Sequence, residues 1–376
     1  MKGDFTRSTF DARKHYSGVR MQQGRVQLDA DWNEQLDIIR HAVESHLRDL
    51  LGAAGVPAAR AGFGIEVGQR PAGAGDALAP DLLIRSGHYY VDGILCENET
   101  PTWLTEQPDN PAAALPSEAA DSDSYIVYLD VWQRHITCIE DPDLRELALG
   151  GPDTTTRTKT VWQVKLLPIG QDDGAGQPES HDGSLADLPD WKRLVDAAAG
   201  KGQLKVRRST QAQQLRNQLY RVEIHDADPQ APTFKWSREN GSIAFPIVGL
   251  TILPAPNAGA PAPTQPADDQ TIQFTVVLEY LERDKLYLQR NSWVEIENDD
   301  TVLSGRTLPL CRVVRLDLIE GQDDDLGQVR GHVTLEADKQ IVADLGSLWP
   351  QPGDVAAARR KHPLLRRWDQ SDGPGA

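Results

Sequence analysis

Ile272-Gln273-Phe274-Thr275-Val276-Val277-Leu278-Glu279-Tyr280 is the stretch on which the fold turns. Ile272, Phe274, Val276, Leu278 and Tyr280 fall at every second position. Side chains two apart on a strand share a face, so this period predicts a strand with one face turned to a core. Nothing else in the chain alternates as cleanly.

Working outward, shorter apolar runs predict further strands at Trp293–Ile296, Leu310–Leu318 and His332–Leu335. On the N-terminal side, Tyr220, Val222 and Ile224 alternate with Arg221, Glu223 and His225. The run Phe234–Ile247 carries Asn240-Gly241 at its middle, a strong signal for a type I′ hairpin. A Pro/Ala tract at 254–269 reads as a surface loop. Earlier strands are expected at His88–Cys96, Ser124–Trp132 and Lys159–Leu167. In the last of these, Trp162, Val164 and Leu166 face one way and Gln163 and Lys165 the other, the pattern of a half-solvated antiparallel strand. The polar stretch 170–190 reads as a loop or linker, followed by a short helix near Trp191–Ala199.

Ahead of the strands lies one clear helix. Asp31 with Glu34 resembles a capping box, Gly52 is a natural stop, and Trp32, Leu36, Ile39, Val43, Leu47 and Leu50 recur at steps of four and three. The stripe suits a core or a short coiled-coil seam, and packing onto its own domain is favoured because it is short for a coiled coil. Residues 1–30 read as an extended arm. Phe5, Phe10 and Tyr16 lack any period, so they must lie on another surface, of this chain or of a neighbour. The expected fold is mainly β, or α+β, with two antiparallel sandwich-like or barrel-like domains after the arm and helix. The divisions are 1–52 arm and helix, 53–170 first β-domain, 171–203 linker and short helix, 204–340 second β-domain, and 341–376 basic tail.

The chain has 376 residues and a formal charge of −17, with a pI near 4.9. So acidic a surface is repelled by phosphate backbones and anionic lipid, which argues against nucleic-acid and membrane partners. No apolar run reaches the roughly 20 residues that span a bilayer, and the N-terminus lacks the apolar region of a Sec-type signal peptide. Synthesis and assembly in the cytoplasm are expected, with release as part of a larger particle left open. Cys96, Cys138 and Cys311 are far apart and read as buried free thiols.

Catalytic signatures are absent: no GxSxG, HExxH, GxxxxGK[ST] or GxGxxG occurs. His135 and Cys138 stand at an odd offset, which turns them to opposite faces of a strand. Asp141, Asp143 and Glu146 are weak calcium candidates without EF-hand spacing. No cofactor and no catalytic residue is expected. In the final segment Arg359, Arg360, Lys361, Arg366 and Arg367 surround Leu364, Leu365 and Trp368. This reads either as a solvated basic tail or as a docking peptide, with Leu365 and Trp368 as apolar anchors and Arg359 and Arg360 steering.

MKGDFTRSTFDARKHYSGVRMQQGRVQLDADWNEQ at the start of the chain resembles the N-terminal signature of a bacterial family of unknown function encoded beside phage-tail-like contractile injection systems. GHYYVDGILCENET at 87–100, NQLYRVEIHDAD at 217–228 and FKWSRENGSIAFPI at 234–247 are similar to it too. The resemblance implies a structural component in or attached to the baseplate, with other particle subunits as partners. It supplies no catalytic residues. Phe5, Phe10, Tyr16, Trp32, Arg359, Arg360, Leu365 and Trp368 are the interface candidates, and homo-oligomerisation within the particle is left open. The alternatives are a glycan- or receptor-binding fibre module that uses exposed aromatics, and a particle-associated carbohydrate-active hydrolase.

Overall fold

The structure, a computed structural model, describes residues 2–71, 78–116, 124–169, 188–199, 219–226, 232–252, 271–281, 288–318, 329–341, 345 and 360–370. Outside them lie the Pro/Ala tract at 254–269, nearly all of the 170–190 linker, and Arg359. Helix α1 spans Asp29–Leu51 and ends where Gly52, in the left-handed region at φ 77°, donates to Arg48 O. It begins two residues before the expected cap, and Asp29 accepts hydrogen bonds from Thr6 N and Oγ1.

Two compact units divide the chain discontinuously, unlike the consecutive domains expected. One comprises Arg40–Gln133 and Thr160–Arg216. Its strands are β1 (Ala54–Gly55), β2 (Ile65–Pro71), β3 (Leu78–Ile84), β4 (Gly87–Val91), β5 (Ile94–Asn98) and β6 (Thr102–Trp103), with most of β7 (Ser124–Ile136) and β8 (Arg157–Ile169), and helix α2 (Pro189–Ala198). They form small antiparallel sheets: β1-β4-β5, β2-β3-β6 and β7-β8. Ile84, Leu104 and Val164 are the centre of its core, with Trp162 and Leu166 against them. Gln163 is not solvated as the alternation implied. It is buried and donates to Asp109 O, because a loop covers that face. The expected single strand His88–Cys96 is a hairpin, since Asp92-Gly93 turns the chain with φ of 51° and 85°. Asp-Gly is a type I′ turn signal in its own right.

The other unit comprises Met1–Ile39, Arg134–Lys159 and Asn217–Ala376. It holds β9 (Arg221–Asp226), β10 (Thr233–Ser237), β11 (Ala244–Ile252), β12 (Thr271–Leu281), β13 (Trp293–Glu297), helix α3 (Asp299–Leu303), β14 (Cys311–Leu318), β15 (Val329–Asp338) and β16 (Leu364–Trp368). A closed barrel runs β11-β12-β15-β14-β13-β16, and closure leaves it no open edge. The stretch at 272–280 lies in β12, where Phe274 and Val276 stand opposite Leu335 and Val333 with all four side chains fully buried. On the outer face Gln273 donates to Glu336. Each such apolar side chain contributes about 1.5–3 kcal/mol by leaving water.

The C-terminal segment departs most from expectation. Leu364–Trp368 is no tail: β16 pairs with β11 on one side and β13 on the other, placing Leu365 between Phe245 and Ile296. Leu365 is 0% exposed and Trp368 1%, so neither has surface left to anchor on a neighbour. The Asn240-Gly241 turn forms, with φ of 52° and 65° and Ser242 N donating to Glu239 O. Its flanks nonetheless part, β10 pairing with β9 and β11 entering the barrel. Among the described residues, no helix is long and apolar enough to cross a membrane.

Candidate interaction surfaces

Strands β13 and β16 turn Val294, Ile296 and Leu365 into the barrel, so Glu295, Glu297, Arg366 and Trp368 fall on its outer face. Charges there would ordinarily meet water. Instead they are buried, with Glu295 2% exposed and Arg366 8%. Arg366 grips Glu297 Oε2 through Nε at 3.1 Å and Nη2 at 3.0 Å, and also donates to Gly241 O. Lys235, 2% exposed, donates to Glu295 Oε2 at 2.5 Å and stands 3.5 Å from Glu223. Trp368 Nε1 donates to the same Glu295 oxygen, and its ring lies under Lys235 Nζ at 4.7 Å. Lys2 completes the set at 2.7 Å from Glu297 and 3.7 Å from Glu223. With Arg221, which also donates to Glu223, four cations face three carboxylates, and removing one partner strands a buried charge. Burial would raise the Glu297 pKa, but Arg366 and Lys2 overcome it and hold the group well below the usual range. Glu295 is raised, first by burial and then by Glu297.

The β9–β10 hairpin covers this cluster, and its orientation follows from it. Lys235 and Glu223 stand opposite each other on the inward face. Alternation then forces Val222, Ile224, Phe234 and Trp236 outward, with Ile224 59% and Phe234 55% exposed. Tyr220 stacks on Trp236, ring centroids 6.5 Å apart, and Arg238 lies over the Trp236 ring at 5.6 Å. The hairpin is inverted: charge inside, hydrocarbon in water.

Helix α1 is inverted in the same sense. Ala30 and Ile38 are buried, Glu34 accepts from Thr9 Oγ1 at 2.5 Å, and Arg48 is held by Asp92. Gly93 comes so close to the Glu44 carbonyl that a Cβ there would lie 2.3 Å from its oxygen. The opposite stripe faces solvent: Trp32 is 67% exposed, Leu36, Ile39 and Val43 51% each, and Leu50 80%. The expected packing of this stripe onto its own domain is therefore overturned, because polar partners and small contacts hold the helix by its back.

A model for a family of unknown function, DUF6519, matches residues 1–211 and 188–375. The chain belongs to DUF6519. No curated protein and no solved structure matches it.

Among the interface candidates of this DUF6519 chain, Phe5 is half-buried, edge-on to His135 at 5.8 Å, and Phe10 is half-buried. Tyr16 is 59% exposed under Lys14, and Arg360 is exposed. The arm is tied down at its start, where Asn240 Nδ2 donates to Gly3 O at 3.0 Å beside Lys2. Asp141, Asp143 and Glu146 do not converge. The Asp141 carboxylate caps a 3-10 turn by accepting from Asp143 N, and among the described residues no group of three His, Cys, Asp or Glu side chains is placed to hold a metal. His135 bonds Thr156 Oγ1 at 2.8 Å. Sequence reasoning missed Lys235, Glu295 and Glu297, and placed Arg366 in a basic tail. The available signal was charge at alternate positions of strands whose apolar face was already assigned.

Proposed function

We propose that this chain is a structural, non-catalytic subunit of a phage-tail-like contractile injection particle, held in or on the baseplate by protein contacts. The observation that carries the structural reading is the inverted β9–β10 hairpin. Turning it over would expose the Lys235–Glu295 pair and bury hydrocarbon against ions, so its apolar face stays outward until another surface covers it. The particle class comes from the resemblance of the opening motif, and the acidic surface keeps an unassembled subunit soluble.

Sheathed particles purified from native cells test the reading. The chain should co-sediment with sheath and baseplate at a fixed ratio, and Ile224→Asp with Phe234→Glu should deplete it from that fraction. Particles that lack the chain altogether would end the assignment. The Tyr220–Trp236 stack favours one second reading, a glycan-binding face, since sugars lie flat on such rings. Glycan-array binding that Trp236→Ala abolishes would promote it.

A further inference from the structure

We infer that α1 is a self-association element, pairing antiparallel with α1 of a second copy of this chain. Trp32, Leu36, Ile39, Val43, His46 and Leu50 follow steps of four, three, four, three and four. That is a strict 3.5-residue period, the spacing at which one helix seats its side chains between those of another. Leu47, one step off this line, is half-buried. Ala30 and Ile38 lie on the opposite side, as do Glu34 and Arg48, both held by their own chain. A free helix with so short a seam would be marginal. Here the helix is already fixed along its back, so pairing does not have to order it.

The size of the seam suits a second copy, and the acidic start of the helix sets the direction. Residues 29–39 carry Asp29, Asp31, Glu34 and Asp37 and no Lys or Arg, whereas 40–51 carry Arg40 and Arg48 against Glu44 and Asp49, with His41 and His46. A parallel pair would set Asp29, which continues the seam line three residues before Trp32, beside Asp29 of the second copy. An antiparallel pair sets the acidic half of each copy beside the basic-containing half of the other and opposes the helix dipoles. The layers then become Trp32 with Leu50, Leu36 with His46, and Ile39 with Val43. The two Arg40 side chains approach at the axis, each already near its own Glu44 and bonded to its own Gln133. Burying the exposed seam removes on the order of 500 Å² per copy, or about 1,000 Å² for the pair, where specific interfaces begin. This pairing stands apart from the particle assignment.

Sedimentation velocity of the purified full-length chain over a micromolar dilution series tests it. A dimer is expected, and Leu36→Glu with Val43→Glu should weaken it about a hundredfold or more, with the melt unchanged at dilutions where wild type is itself monomeric. Leu50→Lys, at the most exposed seam position, gives the same reading should the double variant misfold. An oxidised mixture of Trp32→Cys and Leu50→Cys chains should cross-link, and Leu50→Cys alone should not. A monomer throughout the series, or a dimer indifferent to Leu50→Lys and to the double variant, would overturn the inference. Self-cross-linking of Leu50→Cys alone would overturn its direction.

Discussion

Lys2 Nζ donates a 2.7 Å hydrogen bond to Glu297 Oε1, joining the second residue of the chain to a barrel strand 295 positions later. The start of the arm is thereby part of its own unit's electrostatics. Lys2→Ala leaves Glu297 with Arg366 as its cation among the described residues, and should lower the stability of the isolated chain by roughly 1.5–3 kcal/mol. Asn240→Gly keeps the left-handed turn, loses the bond to Gly3 O, and should cost less. Urea unfolding followed by fluorescence reads both. A Lys2→Ala midpoint equal to wild type would show that the ion pair contributes nothing.

Lys235 is the member of the cluster with least access to water. Lys235→Met leaves Glu295 buried with, among the described residues, the Trp368 indole as its remaining close donor, and should destabilise by about 3–5 kcal/mol. Adding Glu295→Leu should recover part of that loss, because the stranded carboxylate goes with it. Additive losses in the double variant would show that the two residues act independently.

These residues also mark where the sequence is legible and where it is not. The β12 period could be read because one buried face imposes it locally, and α1 because its stripe and its Gly52 stop are local too. The direction of the α1 stripe could not be read, since a helix period says only that an apolar face exists. Leu364–Trp368 looked like a tail because its partners, Phe245 and Ile296, lie far away in sequence. Nothing local to Glu295 and Glu297 signals their burial, because the hairpin and the Lys2 that cover them lie far away in sequence.

That hairpin makes a prediction about the isolated chain. Ile224→Asp and Phe234→Glu lie on its outward face and should change stability by no more than about 0.5 kcal/mol each. Both should reduce the fluorescence of an apolar-surface dye bound to the native protein. Dye binding that is unchanged would mean the face is not open in solution.

The three thiols should be inert in the native state. Burial pushes Cys96 up to about 11 and, with Asp153 and Glu140 adding to it, Cys138 up to about 12, while Cys311 is raised further inside the barrel. A thiol reagent that needs thiolate should therefore react slowly at neutral pH and stoichiometrically with all three after denaturation. Cys96 and Cys311 are buried and Cys138, expected to be buried too, is half-buried, so a fast native phase would contradict these raised values.

His362 Nδ1 lies 2.8 Å from Asp299 Oδ2, and this pair predicts a pH dependence. The His362 pKa is raised, first by that hydrogen bond, so its contribution is complete below the ordinary His value near 6.5 and fades as pH rises through the raised value. Asp299 is lowered: burial opposes ionisation, but His362 and Arg134 overcome it. Its contribution is present above the ordinary Asp value near 3.9 and fades as pH falls through the depressed one. The pair therefore supports the fold most between these two ordinary values. His135 and His225, both lowered chiefly by burial, pull the other way as pH rises, so wild type must be compared with a variant. His362→Asn suits, because Asn tolerates the left-handed φ of 46° at this position. Between about pH 6 and 8 the stability advantage of wild type over His362→Asn should shrink steadily. Parallel stability curves across that range would show that the His362–Asp299 contact carries no proton linkage.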